Sequence, residues 1–133
     1  MSDQTGSKFI VSGIGTDVGK TAASAVLCLA LNAKYWKPVQ AGDLENSDTI
    51  KICRLTNGKI ETFPEAYLLT QSMSPHAAAD IDGLTIDLDQ LQIPETKGNL
   101  IIEGAGGLMV PLNHSDLYID WIQKTKDRIA SQR

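Results

Sequence analysis

The sequence predicts an α/β fold with a mainly parallel sheet, and two segments carry that prediction. An apolar run at residues 8–12 is followed by glycine-rich residues 13–21 and then by an alanine- and leucine-rich run at residues 22–31. A second apolar run, at residues 98–103, again leads directly into glycines. Short buried strands that alternate with helical segments are typical of parallel sheets with crossover helices. We therefore expect a single α/β domain over residues 1–133.

Composition limits the class of protein. The chain has 133 residues, of which 42% are hydrophobic and 21% charged, as in one soluble globular domain. Its net charge of −4, without a basic stripe, argues against a nucleic-acid partner. Cys28 and Cys53 are too few for a disulfide or zinc framework, and Cys28 is expected in the core. Because no signal peptide or long apolar run is present, we expect a cytoplasmic protein without a membrane partner.

The motif Gly-Ile-Gly-Thr-Asp-Val-Gly-Lys-Thr at residues 13–21 has the features of a phosphate-binding loop, or P-loop. Its glycines let backbone N–H groups turn toward a phosphate, and the helix that follows adds a partial positive charge. Lys20 is expected to reach the β- and γ-phosphates, and the Thr21 hydroxyl to ligate Mg²⁺. Five residues separate Gly13 from Gly19 instead of the usual four, so the loop is a lengthened variant.

This motif refines the fold prediction to a three-layer P-loop NTPase-like fold. The alternative is a glycine-rich turn that only caps a helix. The nucleotide contacts expected from the loop are Gly15, Thr16, Asp17, Val18, Gly19, Lys20 and Thr21.

The first half of the chain is predicted from apolar runs and caps. After a polar leader at residues 1–7, the elements are strand 8–12, helix 20–31, strand 35–39, loop 40–45 and a helix capped by Asn46 or Ser47 that ends near Asn57-Gly58. Pro38 lacks an N–H group and should turn the chain outward at the end of its strand. The carboxyl edge of an open α/β sheet is where ligands bind.

The second half is predicted in the same way. The elements are a third strand at residues 67–69, a helix that starts at Ser74-Pro75, a short helix around 88–92, a fourth strand at 98–103 and a last helix opened by Ser115 or Asp116. This last helix should place Ile119 and Ile122 on one face. Residues 124–133 form an atypical polar tail that can at most extend it.

Charged side chains are expected to converge if the first, second and fourth strands are neighbours. Lys37 follows the second strand, Asp48 opens a helix, and Glu103 ends the fourth strand. Two carboxylates with the Thr21 hydroxyl would suit an octahedral Mg²⁺ site. Each residue also has a plainer interpretation: Asp48 as a solvated helix-start acid, Glu103 as a surface carboxylate, and Lys37 as a surface lysine with a buried stem.

Five short motifs follow one another along most of residues 9–122. They are Gly-Ile-Gly-Thr-Asp-Val-Gly-Lys-Thr (13–21), Tyr-Trp-Lys-Pro-Val-Gln-Ala-Gly (35–42), Asn-Ser-Asp (46–48), Ser-Pro-His (74–76) and Glu-Gly-Ala-Gly-Gly (103–107), the last followed by Val-Pro-Leu (110–112). In this order and spacing they resemble the dethiobiotin synthetase family, which also uses the lengthened P-loop.

The resemblance implies an ATP- and Mg²⁺-dependent cyclo-ligase of biotin biosynthesis that acts as a homodimer. Its substrates would be 7,8-diaminopelargonate, CO₂ or bicarbonate, and ATP, which are joined into a cyclic urea. By similarity, Lys37 would hold the carbamate and Lys20 the phosphates, with Thr16 in the same catalytic cluster. Thr21, Asp48 and Glu103 would hold the metal, and Glu103 and Gly106 would also contact the nucleotide.

The sequence departs from the family pattern at two places. Ala41 stands where family members often carry a hydroxyl residue near the diamine. Family sequences also continue after residues 120–122 into an apolar strand, which the polar residues 124–133 do not supply. The resemblance therefore implies a C-terminally truncated fold, whose first strand would lie at a sheet edge.

Other functions stay open at this point. The chain could be a catalytically impaired module that binds nucleotide phosphates and needs a partner chain. An amide-forming ligase of the corrin pathway is also compatible with the motifs. A partitioning-type ATPase is disfavoured, because Gly15 stands where such proteins place an extra lysine. His76 matches a segment near the substrate in the family, although a structural role at a helix start is the preferred interpretation.

Overall fold

The computed structural model describes residues 5–13 and 18–131, over which strands and helices alternate as predicted. The elements are β1 (Thr5–Val11), α1 (Val18–Leu31), β2 (Lys34–Trp36), β3 (Val39–Ala41), α2 (Asp48–Leu55), β4 (Thr62–Phe63), β5 (Tyr67–Leu69), α3 (Pro75–Ile81), β6 (Gly98–Glu103) and α4 (Tyr118–Ser131). Two 3₁₀-helices lie at Leu44–Asn46 and Leu88–Gln90. The predicted bounds of β5 and β6 are confirmed. Within this part of the chain, none of the helices is long and apolar enough to cross a membrane.

The strands form two parallel sheets. The larger sheet has the order β1-β6-β2-β4, and the smaller one pairs β3 with β5. The first, second and fourth predicted strands are therefore neighbours, as expected. In the register of the large sheet, Val11 lies opposite Glu103, and Trp36 lies opposite Ile102. The carboxyl ends of β1, β6 and β2 consequently meet at one edge.

Helices cover both faces of the large sheet and make the predicted three layers. Successive side chains of a strand point to opposite faces. On one face, Tyr35 and Ile101 pack with Cys28 of α1 and Ile52 of α2. On the other, Trp36 and Ile102 pack with Trp121 of α4, among others. The core position expected for Cys28 is confirmed, and burial followed by the negative charge of Glu103 raises the pKa of its thiol to about 11.

The prediction of one strand over residues 35–39 was wrong, because the chain breaks at Lys37-Pro38. β2 ends at Trp36, and β3 begins at Val39 in the other sheet. Pro38 cannot donate to a sheet, whereas its carbonyl accepts bonds from the N–H groups of Ala66 and Tyr67 at 2.8 and 3.1 Å. The predicted loop at residues 40–45 was consequently also wrong, since β3 extends through Ala41 and a 3₁₀-helix starts at Leu44.

Several other boundaries differ from the predictions. Residues 5–7, predicted as part of the leader, belong to β1, and α1 starts two residues earlier than expected. The two-residue strand β4 was not predicted. The last helix begins at Tyr118 instead of Ser115 or Asp116, because Leu117 forms an isolated bridge with Pro111.

Aromatic residues form the buried face of α4, in addition to the two isoleucines predicted to share one of its faces. Tyr118 and Trp121 are buried, whereas Ile119 is exposed and Ile122 only half-buried. Both aromatic rings are stacked, with centroids 5.7 Å apart. The larger aromatic rings therefore form the part of α4 that packs into the core. Residues of the polar tail up to Ser131 continue α4, as expected.

Predicted helix caps are confirmed at two places. Ser47 precedes α2, and its hydroxyl accepts a bond from the N–H of Ile50 at 3.3 Å. Past the end of α2, Asn57 and Gly58 both have positive φ, and the N–H of Gly58 bonds the carbonyl of Cys53 at 2.8 Å. These caps fix where α2 starts, and Asp48 is its first residue.

One side of the molecule leaves apolar side chains uncovered. β1 lies at the edge of the large sheet, where Phe9 and Ile10 are 39% and 37% exposed. On α1, which covers one face of this sheet, Val26 and Leu29 are 64% and 50% exposed. We call Phe9, Val26 and Leu29, which lie on the α1 side of the sheet, the β1–α1 face, whereas Ile10 points to the opposite side of β1. The edge position expected for the first strand is confirmed.

Candidate active site

The alternation of β2 and β6 places the candidate site residues on the face covered by α1. Tyr35 is paired with Ile101 in the register, and Glu103 lies two residues after Ile101 on the same face. Lys37 follows Tyr35 by two residues, directly after the end of β2. Thr21 lies near the start of α1, and this helix packs over β6 and β2. Glu103, Lys37 and Thr21 are thereby brought to one edge of the sheet.

Glu103 is the most enclosed charged residue of the site. It is 1% exposed, and both carboxylate oxygens accept hydrogen bonds. The Thr21 hydroxyl donates to Oε2 at 3.0 Å, and the Tyr35 hydroxyl donates to Oε1 at 2.8 Å. The interpretation of Glu103 as a surface carboxylate is therefore wrong.

Lys37 lies between two carboxylates. Its Nζ donates to Oδ2 of Asp48 and lies 3.5 Å from Oε2 of Glu103. The residue is only 5% exposed, so the interpretation as a surface lysine with a solvated head is also wrong. Lys51 adds a weaker contact, with its Nζ 3.8 Å from Oδ1 of Asp48. An ammonium and two carboxylates thus form a largely buried charge cluster.

Gln40 fixes the backbone at the start of α2. Its side-chain oxygen accepts a bond from the Asp48 N–H at 3.1 Å, and its side-chain nitrogen donates to the Gly42 carbonyl at 2.9 Å. Because Gln40 is buried, both backbone groups depend more strongly on it as a hydrogen-bond partner. The position of Asp48 beside Lys37 therefore depends on the segment 40–42 as well as on its own helix.

Lys20 and the loop after β6 form another part of the site's wall. The Gly106 carbonyl accepts bonds from Lys20 Nζ at 3.2 Å and from the Ser12 hydroxyl at 3.3 Å. Gly107 lies against Gly13, since a Cβ added to Gly107 would stand 3.1 Å from the Gly13 carbonyl oxygen. The glycine-rich segment after β6 is therefore packed directly on the start of the P-loop.

A cavity of about 430 Å³ opens between these walls. Lys20, Lys37, Gln40 and Asp48 line it together with Gly106. This volume lies in the range of small-molecule sites, and the lining combines charged groups with small apolar residues. The cavity wall also includes Ala41, Ser72, Met73, Ser74, Ala105, Gly107 and Val110.

The two carboxylates differ in their ionisation. Burial raises the pKa of Glu103 above its usual value, and the ammonium of Lys37 only partly opposes this effect. Burial alone would also raise the pKa of Asp48, but the charge and hydrogen bond of Lys37 outweigh it and lower the pKa. Asp48 is therefore the carboxylate that most firmly keeps its negative charge beside Lys37.

The donor set fits a hard divalent cation. Thr21, Asp48 and Glu103 supply only oxygen atoms, and both carboxylates already contact one cation, the Lys37 ammonium. No group of three His, Cys, Asp or Glu side chains suited to a metal occurs among the described residues. A Mg²⁺ ion here would hence need phosphate and water oxygens to complete its coordination, as is usual for Mg²⁺.

The structure brings together Lys20, Thr21, Lys37, Asp48 and Glu103, with Gly106 beside Lys20. Gly19 lies in the first turn of α1, as does the backbone of Val18. Gly15, Thr16 and Asp17, which were also predicted to bind the nucleotide, lie outside the described residues. The role predicted for each of these residues stays a prediction.

Two residues of the site were missed by the sequence reasoning. Tyr35 and Gln40 both lie in the motif at residues 35–42, which was the available signal, but no role was assigned to either. His76 lies in the first turn of α3, where its Nδ1 is 3.0 Å from the Ser74 hydroxyl. Ser74 lines the cavity, although it makes no side-chain cap bond to α3.

Comparison with known proteins gives a family and a set of relatives. Residues 7–128 match the family described as "AAA domain". The chain is 52% identical over 117 residues to the ATP-dependent dethiobiotin synthetase BioD of Christiangramia forsetii, an alignment that covers 87% of this chain and 56% of that relative.

Two further relatives carry the same name. For the BioD protein of Afipia carboxidovorans the identity is 50% over 121 residues, covering 90% of this chain and 58% of the relative. For that of Rhodopseudomonas palustris strain BisB5 it is 54% over 113 residues, covering 84% and 53%. The resemblance inferred from the motifs is thereby confirmed. The chain spans about half the length of the curated relatives that it matches.

Proposed function

The chain belongs to the AAA domain family, and on that premise we propose that it acts as an ATP-dependent dethiobiotin synthetase. The reaction would join CO₂ to 7,8-diaminopelargonate and close a cyclic urea. The observation that carries the proposal is the position of Lys37, which contacts Asp48 and Glu103 and lines the same cavity as Lys20. The names of the similar proteins support the substrate assignment.

The proposed chemistry has three steps. One amine of the diamine adds to CO₂ and loses a proton, which gives a carbamate. ATP transfers its γ-phosphoryl group to a carbamate oxygen and leaves as ADP. The second amine then attacks the carbamate carbon, loses a proton and expels phosphate as the ring closes. A carbamate is a poor electrophile, so phosphorylation is what provides a leaving group.

We propose that the side chains act mainly by position and charge. Lys20, at the start of α1, would hold the phosphates, and Lys37 would hold the carbamate on the other side of the cavity. Thr21, Asp48 and Glu103 would hold Mg²⁺, which when bound offsets negative charge on the transferred phosphoryl group.

The diamine pocket would include the segment around Ala41. Ala41 itself offers no hydroxyl, but Ser72 and Ser74 line the same cavity. Ser72 packs so closely on Gly42 that a Cβ there would lie 1.9 Å from the Ser72 hydroxyl oxygen. We propose that these serines supply the polar contact that Ala41 cannot make.

A direct test is turnover by the chain as it stands. The chain is incubated with diaminopelargonate, ¹⁴C-bicarbonate, ATP and Mg²⁺, and labelled dethiobiotin is measured together with released phosphate. We expect product that requires all four components. Lys34→Met serves as a matched control, because Lys34 bonds Thr96 at 2.7 Å and does not line the cavity. ATP binding without any labelled product would contradict the proposed function.

The β1–α1 face supports a second candidate function, that of a module that binds nucleotide phosphates and works with a partner chain. An exposed edge strand and exposed apolar side chains are features of surfaces that bind another protein chain. This candidate predicts ATP binding but no dethiobiotin unless a second chain is added. The homodimer, the use of Mg²⁺ and the cytoplasmic location expected from the sequence belong to the first proposal.

A further inference from the structure

The side-chain hydroxyl of Tyr35 makes one hydrogen bond to the residues that the structure describes, and its partner is the candidate metal ligand Glu103. The tyrosine side chain comes from β2, is fully buried, and donates its hydroxyl hydrogen to Oε1 of Glu103 at 2.8 Å. The other carboxylate oxygen, Oε2, faces Thr21 at 3.0 Å and Lys37 at 3.5 Å. The two oxygens of Glu103 therefore have different neighbours.

We infer that Tyr35 is a positioning residue that fixes the orientation of the Glu103 carboxylate and so sets the affinity of the site for a divalent cation. This inference rests on the proposed function, because it concerns the Mg²⁺ site assigned there.

The physical reason lies in the rotation of a carboxylate about its terminal bond. That torsion is broad and roughly two-fold, so packing alone does not fix it. A hydrogen bond from the rigid, buried Tyr35 ring holds Oε1 and leaves Oε2 directed at Thr21 and Lys37. Partners that orient a ligand in this way typically change metal affinity by about 10- to 100-fold when they are removed.

The register of the sheet explains why Tyr35 can do this. Tyr35 is opposite Ile101, and Glu103 is on the same face two residues later. Cys28, Ile52 and Ala25 pack around the ring and give it little room to move. A phenylalanine at this position would fill nearly the same space without the bond.

The test measures Mn²⁺ binding to the whole chain by electron paramagnetic resonance, in the presence of ADP. Tyr35→Phe removes only the hydroxyl, and Tyr67→Phe is the matched control. The Tyr67 hydroxyl accepts a bond from the Asp87 N–H at 3.1 Å, and Tyr67 does not line the cavity. We expect Tyr35→Phe to weaken Mn²⁺ binding about 10-fold and Tyr67→Phe to leave it unchanged.

A double-mutant cycle separates this role from a general effect on packing. In Glu103→Gln chains, the further change Tyr35→Phe should have no effect on Mn²⁺ affinity, because Tyr35 acts through Glu103. An equal loss in both backgrounds, or normal Mn²⁺ binding by Tyr35→Phe, would overturn the inference. If the unmodified chain bound no Mn²⁺, the proposed metal site itself would fail, and the inference with it. Circular dichroism and thermal unfolding of each variant establish that it is folded.

Discussion

Nζ of Lys37 lies 3.5 Å from Oε2 of Glu103, an oxygen that is also bonded to the Thr21 hydroxyl. The same ammonium donates to Asp48, so one cation is shared by two carboxylates from different elements. β6 supplies one carboxylate, and the first residue of α2 supplies the other. The candidate site is therefore assembled from parts of the chain that are distant in sequence, and its charge balance depends on a single lysine.

The first prediction concerns that lysine. In Lys37→Met, two carboxylates are left partly or fully buried without their main counter-charge, which should lower the free energy of unfolding by about 3 kcal/mol. Turnover in the assay above should fall by at least about 100-fold, because the carbamate would lose its charged contact. Urea unfolding and product formation check the two effects separately.

Lys51→Met is the control for Lys37→Met. Lys51 also contacts Asp48, at 3.8 Å, but it is more exposed than Lys37. Its removal should change the free energy of unfolding by less than about 0.5 kcal/mol. Equal effects of the two substitutions would contradict the central position of Lys37 in the cluster.

The second prediction concerns the pH dependence of stability. Because the folded-state pKa of Glu103 is raised, its favourable contribution is fully present below the ordinary value of 4.5 and is lost as the pH rises through the raised pKa. The pKa of Asp48 is lowered, so its contribution is present above 3.8 and is lost as the pH falls through the lowered value. Raising the pH therefore weakens the stabilising contribution of Glu103, whereas lowering the pH weakens that of Asp48.

Glu103→Gln tests this difference. The substitution removes a buried group whose ionisation costs stability as the pH rises above 4.5. The free energy of unfolding of Glu103→Gln, minus that of the unmodified chain, should increase from pH 4.5 toward neutral pH. Urea unfolding at several pH values measures it, and a difference that does not vary with pH would refute the prediction.

The third prediction concerns Tyr118, whose buried hydroxyl has no hydrogen-bond partner in the part of the chain that the structure describes. Leaving a buried hydroxyl unpaired costs about 1–3 kcal/mol. Tyr118→Phe should therefore raise the free energy of unfolding by about 1 kcal/mol, whereas Tyr67→Phe should lower it slightly through the loss of a bond. A destabilised Tyr118→Phe chain, measured by urea unfolding, would show that the hydroxyl has a partner.

The fourth prediction concerns the β1–α1 face. Edge strands and exposed apolar patches promote association, and charged residues there prevent it. We expect the chain to associate as its concentration rises, and Phe9→Lys or Val26→Lys to shift it toward the monomer. Sedimentation equilibrium measures this shift. Ile119→Lys is the control, since Ile119 is similarly exposed, at 39%, but lies on α4. The same shift in this control would argue against a specific surface.

Much of the fold could be predicted because short segments of the chain encode it directly. β6 is an apolar run that ends in Glu103, and Ser47 marks the start of α2 with its own side chain. The break at Pro38 was harder to place, because it depends on bonds from Ala66 and Tyr67, far along the chain. Which side chains of α4 are buried was hard to predict for the same reason, since Trp121 packs on Trp36 of β2, with ring centroids 6.1 Å apart, and this is a tertiary contact.

The charged members of the candidate site could also be named from the sequence. Lys37 and Glu103 end or follow apolar strand-like runs and Asp48 follows a helix-capping serine, so the linear pattern alone points to all three residues. Tyr35 and Gln40 could not be identified in this way, because they act through side-chain hydrogen bonds that exist only in the folded chain. A tyrosine in a strand is otherwise an ordinary core residue.

The pairing of β2 with β6 also determines which mutations this region can tolerate. Tyr35 and Lys37 share a face because they are two residues apart, and Trp36 between them belongs to the opposite layer. Deleting or inserting one residue directly before Tyr35 would exchange these layers, placing the charged side chain on the face of the indole rings and the Trp36 indole on the face of Glu103. The effect of a substitution in this strand can be small or large and can be partly compensated. A change of one residue in the length of the strand, in contrast, should abolish folding and function together.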